Sequence, residues 1–170
     1  MKSTDAHVIS DLHVQSWKKH YKGIVSDHYL EYIIEKERFA VWQERCTSPS
    51  SDQLTMIAEV ADSPCGFVCA FAYHHEEFGA YIDNLHVLHQ HQGQGIGFQL
   101  LVRMALEIHT FDPTIQECYL WVFEKNNGAI AFYERAGGKK EERENRDCPD
   151  GASYPCLRYS WQVNDLVSAV

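Results

Sequence analysis

The sequence predicts an α/β (α+β) fold in which helices flank a central, mostly antiparallel sheet. Strand-like apolar runs are interspersed with amphipathic helical patterns, two pairs of strands are joined by short turns, and a glycine-rich loop connects one strand to a helix. A chain of 170 residues, 45% of them hydrophobic, can bury one sizeable core. We therefore expect a single domain over residues 1–170.

The order of the elements follows from hydrophobic periodicity and from turn residues. Helices are predicted at residues 4–20, 26–46, 95–109 and 127–136. Strands are predicted at residues 54–61, 66–73, 80–88 and 116–122, followed by a closing antiparallel pair at 139–146 and 154–163. The segment Asp62-Ser63-Pro64 is typical of a turn and predicts that the first two strands form a hairpin.

The hexapeptide Gln92-Gly93-Gln94-Gly95-Ile96-Gly97 lies where a strand ends and a helix begins. In that helix Ile96, Leu100, Met104 and Ile108 recur every four residues, which predicts one buried face. Glycines lack a Cβ atom and let a ligand approach the backbone closely, and the first amides of a helix have no intrahelical acceptor. The segment therefore predicts a cradle for a phosphate or diphosphate group.

Two common phosphate-binding loops do not fit this segment. No Lys follows the glycines, which argues against a P-loop, and Phe98 stands where the dinucleotide fingerprint has its third glycine. Gln92, Gly95 and Gly97 instead fit the pattern Gln/Arg-x-x-Gly-x-Gly/Ala. Here the sequence resembles the GNAT superfamily of acyl-CoA-dependent N-acetyltransferases, in which a loop of this form holds the pyrophosphate of coenzyme A.

Two further segments strengthen the resemblance. Residues 126–137 are similar to the GNAT segment in which Asn-x-x-Ala-x-x-Phe-Tyr opens a helix and a glycine closes it. Asn126 or Asn127 can cap that helix, and Gly137 can end it. Residues 12–23 resemble the two-helix start of many bacterial GNAT enzymes, so the resemblance spans roughly residues 4–161.

The resemblance implies a GNAT fold, with a central mixed, mostly antiparallel sheet that is splayed in its middle and flanked by about four helices. Family members usually begin with a strand before the first helix. Only a few polar residues precede the first predicted helix here. We therefore expect the family's first strand to be missing or vestigial.

The activity implied by the resemblance is transfer of an acetyl group from acetyl-CoA, as co-substrate, to a primary amine by direct attack in a ternary complex. The backbone amide that polarises the thioester carbonyl would be that of Val87 or Leu88. The residues expected to bind acetyl-CoA are Leu85, His86, Val87, Gln92, Gly93, Gln94, Gly95, Ile96, Gly97, Asn126, Ala129 and Phe132.

Three alternatives stay open at this point. The enzyme could use a longer acyl-CoA, or the chain could be a non-catalytic module that binds and senses acyl-CoA. A third alternative is a scaffold dimer whose contact is made by Tyr154, Tyr159 and Trp161 of the closing hairpin.

Tyr133 occupies the position of the family's tyrosine acid near the sulfur. A phenol, with a reference pKa of about 10, stays protonated at neutral pH and can donate to a thiolate. The alternative is that Tyr133 only packs in the core.

Asp83 is the predicted base, because family members often carry a carboxylate at this position of the central strand. Strand alternation predicts that Asp83, Leu85 and Val87 share the face toward the acceptor cleft, with Asn84 and His86 on the other. His86 is the alternative base.

The acceptor is expected between the two amino-terminal helices, a loop at 74–79 and the closing hairpin. The residues predicted to bind it are Trp17, Tyr21, His75, Glu76 and Trp121. The net charge of −9 argues against a nucleic-acid partner and favours a cationic acceptor such as a small-molecule or peptide amine.

The composition also bears on the location of the protein, the state of its cysteines and metal binding. No run of about 18 apolar residues occurs, and the first five residues lack the apolar core of a signal peptide, so we expect a cytoplasmic protein with no membrane partner. The six cysteines are expected to be reduced and partly buried. The ten histidines form no metal-binding pattern, so no metal is expected. A homodimer is the predicted assembly.

Overall fold

The computed structural model describes residues 5–169. The α-helices in that range are α1 (Asp5–His20), α2 (Ile34–Thr47), α3 (Ile96–Phe111), α4 (Asn127–Arg135) and α5 (Val163–Val167). The strands are β1 (Gln53–Val60), β2 (Ser63–His75), β3 (Gly79–Val87), β4 (Glu117–Phe123), β5 (Lys139–Asp147) and β6 (Ser153–Gln162). A π-helical turn, Tyr29–Ile33, leads into α2, and a short 3-10 segment, His89–His91, follows β3.

The six strands form one mixed sheet in the order β1-β2-β3-β4-β6-β5. Every neighbouring pair is antiparallel except β3 and β4, which run parallel. These two strands pair only at Ala80 with Cys118 and at Tyr81 with Tyr119. Beyond Tyr81 they diverge toward their carboxyl ends, which confirms the predicted splay in the middle of the sheet.

Successive residues of β2 pack on opposite faces of the sheet, as a strand period of two requires. Val68 and Ala70 belong to the core beneath α3, whereas Phe67 and Cys69 pack against α1 and α2. Helices therefore cover both faces. The face of α3 that was predicted to be buried contributes Leu101, Met104, Ala105 and Ile108, all fully buried.

Among residues 5–169 the first element is α1, and β1 forms one edge of the sheet.

Three details differ from the sequence predictions. Val163 begins a short fifth helix, α5, instead of extending β6. β2 continues to His75, which pairs with Gly79, so His74 and His75 lie in the strand and not in a loop. The second helical region is one continuous segment but contains the π-helical turn, which hydrophobic periodicity does not reveal.

The proposed dimer contact through the closing hairpin is also corrected. Tyr159 and Trp161 of β6 are buried inside the protomer, in the same core as Tyr133. Tyr133 of α4 packs on both rings, and Trp161 Nε1 donates to the Ala136 carbonyl, so these two side chains are not available to a partner. Tyr154 is only half-buried.

All six cysteines are buried, and none lies in a disulfide. In the described range, no helix combines the length and the apolar character needed to cross a bilayer. Within residues 5–169 no group of three or more His, Cys, Asp or Glu side chains is arranged to hold a metal ion.

Candidate active site

A cavity of about 440 Å³ lies where β3 and β4 diverge. One wall is the end of β3 and the glycine loop after it, and the other is the end of β4 together with α4. The carboxyl-terminal end of α1 closes the cavity with Ser16, His20 and Tyr21. The splay of the sheet thus creates a cleft bounded by three helices, two strand ends and one loop.

The glycine loop has a backbone that only glycine adopts without strain. Gly93 and Gly95 have φ values of 75° and 81°, and Gly95 is the residue immediately before α3. A Cβ atom added at Gly95 would meet no atom within 4 Å, so the conformation, not crowding, requires glycine there. The first amides of α3 have no intrahelical acceptor and lie beside the cavity, as an anion site requires.

The amide of Val87, and not that of Leu88, is placed to polarise a carbonyl. The Leu88 N–H donates to the Cys65 carbonyl at 2.8 Å and is used by the sheet. Since backbone groups of successive strand residues point to opposite edges, the Val87 amide points away from β2, toward the cavity. The Val87 carbonyl, on the same edge, accepts a hydrogen bond from Gln92 Nε2 at 3.1 Å. The predicted choice between the two amides is thereby reduced to Val87.

Asn126 and Tyr133 are held by α4. The Asn126 side chain caps the helix by accepting from the Ala129 amide at 3.3 Å, which confirms the predicted cap. Tyr133 lines the cavity with its ring packed against Tyr159 and Trp161. Burial raises the pKa of Tyr133 well above its ordinary value, so the phenol stays protonated.

The predicted face of Asp83 is wrong, because β3 contains a bulge. Ile82 pairs with Ala70 and Asn84 with the adjacent Cys69, so Asp83 is an extra residue opposite β2. Leu85 remains in the core under α3, whereas Asp83 faces α2. One inserted residue therefore breaks the alternation that was expected to place Asp83 beside Leu85 and Val87.

The carboxylate of Asp83 is engaged by α2. It accepts a hydrogen bond from Arg45 Nη1 at 2.7 Å, and the Arg45 guanidinium lies over the rings of Trp42 and Phe71. Both side chains of the pair are about a quarter exposed. Asp83 does not line the cavity.

His86 lines the cavity and also contacts two buried polar residues, Ser16 and His13. Its Nδ1 lies 2.9 Å from Ser16 Oγ, and its ring centroid lies 4.9 Å from that of His13. Burial, with smaller contributions from His20 and Arg38, lowers the pKa of His86 to about 3. A group with so low a pKa cannot readily take a proton from an alkylammonium ion, so the geometry disfavours His86 as the base.

His13 is fully buried and accepts a hydrogen bond from Trp42 Nε1 at 3.0 Å. Its pKa is lowered well below the usual value, mainly by burial and then by His86. The second nitrogen of His13 has no hydrogen-bond partner among the described residues.

The cavity brings together most of the residues predicted from the sequence. Its lining includes Tyr21, Leu85, His86, Val87, Gln92, Gly93, Gly95, Ile96, Gly97, Trp121, Asn126, Ala129, Phe132 and Tyr133. The predicted residues outside the lining are Trp17, His75, Glu76, Asp83 and Gln94. Trp17 is buried against Tyr21 and Tyr29, and His75 stacks on Phe78 at a centroid distance of 4.1 Å.

Sequence reasoning missed Ser16, His20, His91 and Arg135, all of which line the cavity. Ser16 and His20 are four residues apart in α1, so helical spacing places them on one face together. That spacing was a usable signal, but nothing in the sequence indicates which face of α1 covers the cavity.

The family model that describes the acetyltransferase (GNAT) family matches residues 14–138, more than half of the chain. The chain therefore belongs to the GNAT acetyltransferase family. No significant match is found among curated proteins.

Solved structures share the fold over nearly the whole chain. PaiA N-acetyltransferase from Thermoplasma acidophilum, in complex with coenzyme A, is 22% identical with a TM-score of 0.74, covering 95% of this chain and 96% of that one. A chimera of spermidine N-acetyltransferase SpeG from Vibrio cholerae and hSSAT is 18% identical with a TM-score of 0.68, covering 98% and 95%. The structure of yncA from Salmonella typhimurium with its cofactor acetyl-CoA is 16% identical with a TM-score of 0.66, covering 96% and 91%.

Proposed function

We propose that this chain is an acetyl-CoA-dependent N-acetyltransferase that acts through a ternary complex, as a single domain over residues 1–170. The observation that carries the proposal is that one cavity combines the glycine loop, the outward-facing Val87 amide and the protonated Tyr133. Each serves one requirement of the reaction: anchoring the diphosphate, polarising the thioester carbonyl and protonating the leaving sulfur.

In the proposed step the neutral amine nitrogen attacks the thioester carbon, and the Val87 N–H stabilises the charge that develops on the carbonyl oxygen. The carbon–sulfur bond then breaks, and the departing thiolate takes the phenolic proton of Tyr133. The amide product loses its extra proton to solvent. Tyr133 recovers its proton from solvent before the next turnover.

The acceptor we propose is a small-molecule or peptide primary amine. The relatives named for spermidine acetylation belong to the same fold, which makes polyamines the first acceptors to test. A longer acyl-CoA and a sensing role without catalysis are the rival proposals. A cytoplasmic location and a homodimer stay predictions.

The test is a panel of amines with acetyl-CoA, followed by release of free thiol and by mass spectrometry of the products. We expect acceptor-dependent thiol release and a product heavier by one acetyl group. CoA binding without transfer to any amine would favour the sensing module. Transfer only from longer acyl-CoAs would favour an acyltransferase that uses those donors.

A substitution in the glycine loop tests where the cofactor binds. Gly95→Val places a β-branched residue at a φ of 81° and should weaken CoA binding at least about 10-fold by calorimetry. Gly151→Val, at a φ of 83° in the β5–β6 turn outside the cavity lining, is the matched control for strain. Equal CoA affinity for the two variants would contradict the assignment.

A further inference from the structure

The cavity contains an unusual source of positive charge for a ligand that carries several phosphates. Among the described residues that line it, the basic side chains are His20, His86, His91 and Arg135, and none of the lining residues carries a carboxylate. The chain as a whole has a net charge of −9. Three of the four basic groups that line the cavity are therefore imidazoles.

His20 and His91 lie beside the glycine loop. His91 ends the 3-10 segment directly before Gln92. His20 ends α1, and its Nε2 lies 3.1 Å from the side-chain nitrogen of Gln92, which also donates to the Val87 carbonyl. Gln92 thus connects His20 to the loop proposed to hold the diphosphate.

The contact with Gln92 fits only the neutral form of His20. An amide nitrogen has donors and no acceptor, so His20 Nε2 accepts this hydrogen bond and carries no proton. With a proton on His20 Nε2, two N–H donors would face each other, and the imidazole would need a new acceptor. A diphosphate oxygen in the loop would provide that acceptor, together with an opposite charge.

We infer that His20 and His91 line the coenzyme A diphosphate site and that His20 becomes its cation, so that cofactor binding takes up a proton and tightens as the pH falls. The inference rests on the proposed function, since it assigns new residues to the same cofactor.

The charges around His20 favour this coupling. Burial lowers the pKa of His20, and the neighbouring His89 and Lys19 lower it further, so that the imidazole is mainly neutral at pH 7 before the cofactor binds. His86 faces the same cavity but stays neutral, with its pKa of about 3. The remaining basic group in the lining is the Arg135 guanidinium, and guanidinium groups are permanent cations in proteins. A bound diphosphate raises the pKa of His20, and a group protonated only in the complex makes binding stronger at lower pH.

The test is calorimetric titration at pH 6, 7 and 8, in buffers of different ionisation enthalpy so that proton uptake is counted. Dephospho-CoA is the probe, because it keeps the diphosphate but lacks the 3′-phosphate, which itself titrates near pH 6. We expect dephospho-CoA affinity to rise about threefold from pH 8 to pH 6, through protonation of His20.

His20→Gln should abolish this pH dependence and the proton uptake, whereas His91→Gln should weaken dephospho-CoA binding at each pH and keep the proton uptake. His28→Gln is the matched control, because His28 is exposed and does not line the cavity. His20→Lys should bind tightly at pH 6 and pH 8 alike, which separates loss of charge from loss of folding.

Two negative results are distinguishable. If the parent binds dephospho-CoA equally well at pH 6 and pH 8 without proton uptake, the histidine site is overturned while the cofactor assignment stands. If neither CoA nor dephospho-CoA binds at any pH, the proposed function itself is wrong.

Discussion

At the residue scale, Tyr133 is the side chain whose environment best matches its proposed role. Its pKa is raised by burial, so the hydroxyl is a proton donor throughout the physiological pH range. Among the described residues no side chain forms a hydrogen bond with that hydroxyl, although the ring contacts those of Phe132, Tyr159 and Trp161.

We expect Tyr133→Phe to lower kcat by about 100-fold while the dissociation constant of acetyl-CoA changes little, because general acid catalysis contributes that much to the chemical step. Stopped-flow thiol release and calorimetry on the same variant measure the two quantities. Parental turnover from pH 6 to pH 9 would show that Tyr133 only packs in the core.

Asp83 has a different environment from the one expected of a free base. Its carboxylate is held by Arg45, and the ion pair is only partly exposed. The geometry therefore argues that Asp83 positions α2 against β3 and does not itself take the amine proton.

Asp83→Asn should lower the melting temperature and change acceptor kinetics by less than about 10-fold, because it leaves the Arg45 cation without its partner. Adding Arg45→Met should recover part of the lost stability. The prediction is wrong if Asp83→Asn retains parental stability but loses about 100-fold in kcat with alkylamines and little with amines of low pKa. That result would restore Asp83 as the base.

At the scale of elements, the predictable parts are those with strong local patterns. The four-residue spacing from Ile96 to Ile108 fixed the buried face of α3, and the positive-φ glycines before it marked the loop. Asn126 marked the start of α4 through its cap. Together these patterns located two walls of the cavity, because strand ends, loops and helix starts are encoded by neighbouring residues.

The bulge at Asp83 and the covering of the cavity by α1 were not predictable in the same way. A bulge depends on the register between β2 and β3, in which Cys69 and Ala70 are the partners that reveal the extra residue. The register depends on two segments that are distant in sequence. The alternation of residues along β3 alone therefore does not reveal it. Likewise, the contact of His20 with Gln92 joins residues 72 positions apart.

At the scale of the whole molecule, the fold encloses neutral histidines. His13 is fully buried, and His86 is half-buried between α1 and the cavity, with ring contacts to His13 and Phe67. Burial lowers the pKa of both. The hydrogen-bond partners of these imidazoles are Ser16 and Trp42, and neither is a carboxylate. Protonating either imidazole in the folded protein would therefore create a charge without a counter-charge.

These histidines predict how stability depends on pH. In the unfolded chain they bind protons as the pH falls through about 6.5, whereas in the folded protein His86 resists protonation down to about pH 3. Their contribution is therefore complete above pH 6.5 and is lost as the pH falls below it. Each histidine can remove up to about 1.4 kcal/mol of unfolding free energy per pH unit.

Urea unfolding from pH 8 to pH 5 is the measurement, because carboxylates with lowered pKa values, such as Asp52 and Asp112, change protonation below this window. We expect a nearly constant midpoint from pH 8 to pH 7 and a steep fall from pH 6.5 to pH 5. His86→Gln should flatten that fall, whereas the exposed His28→Gln should keep the parental slope. An unchanged midpoint at pH 5.5 in the parent would mean that the two imidazoles are protonated in the folded protein as readily as in the unfolded chain, and their buried environment would have to be revised.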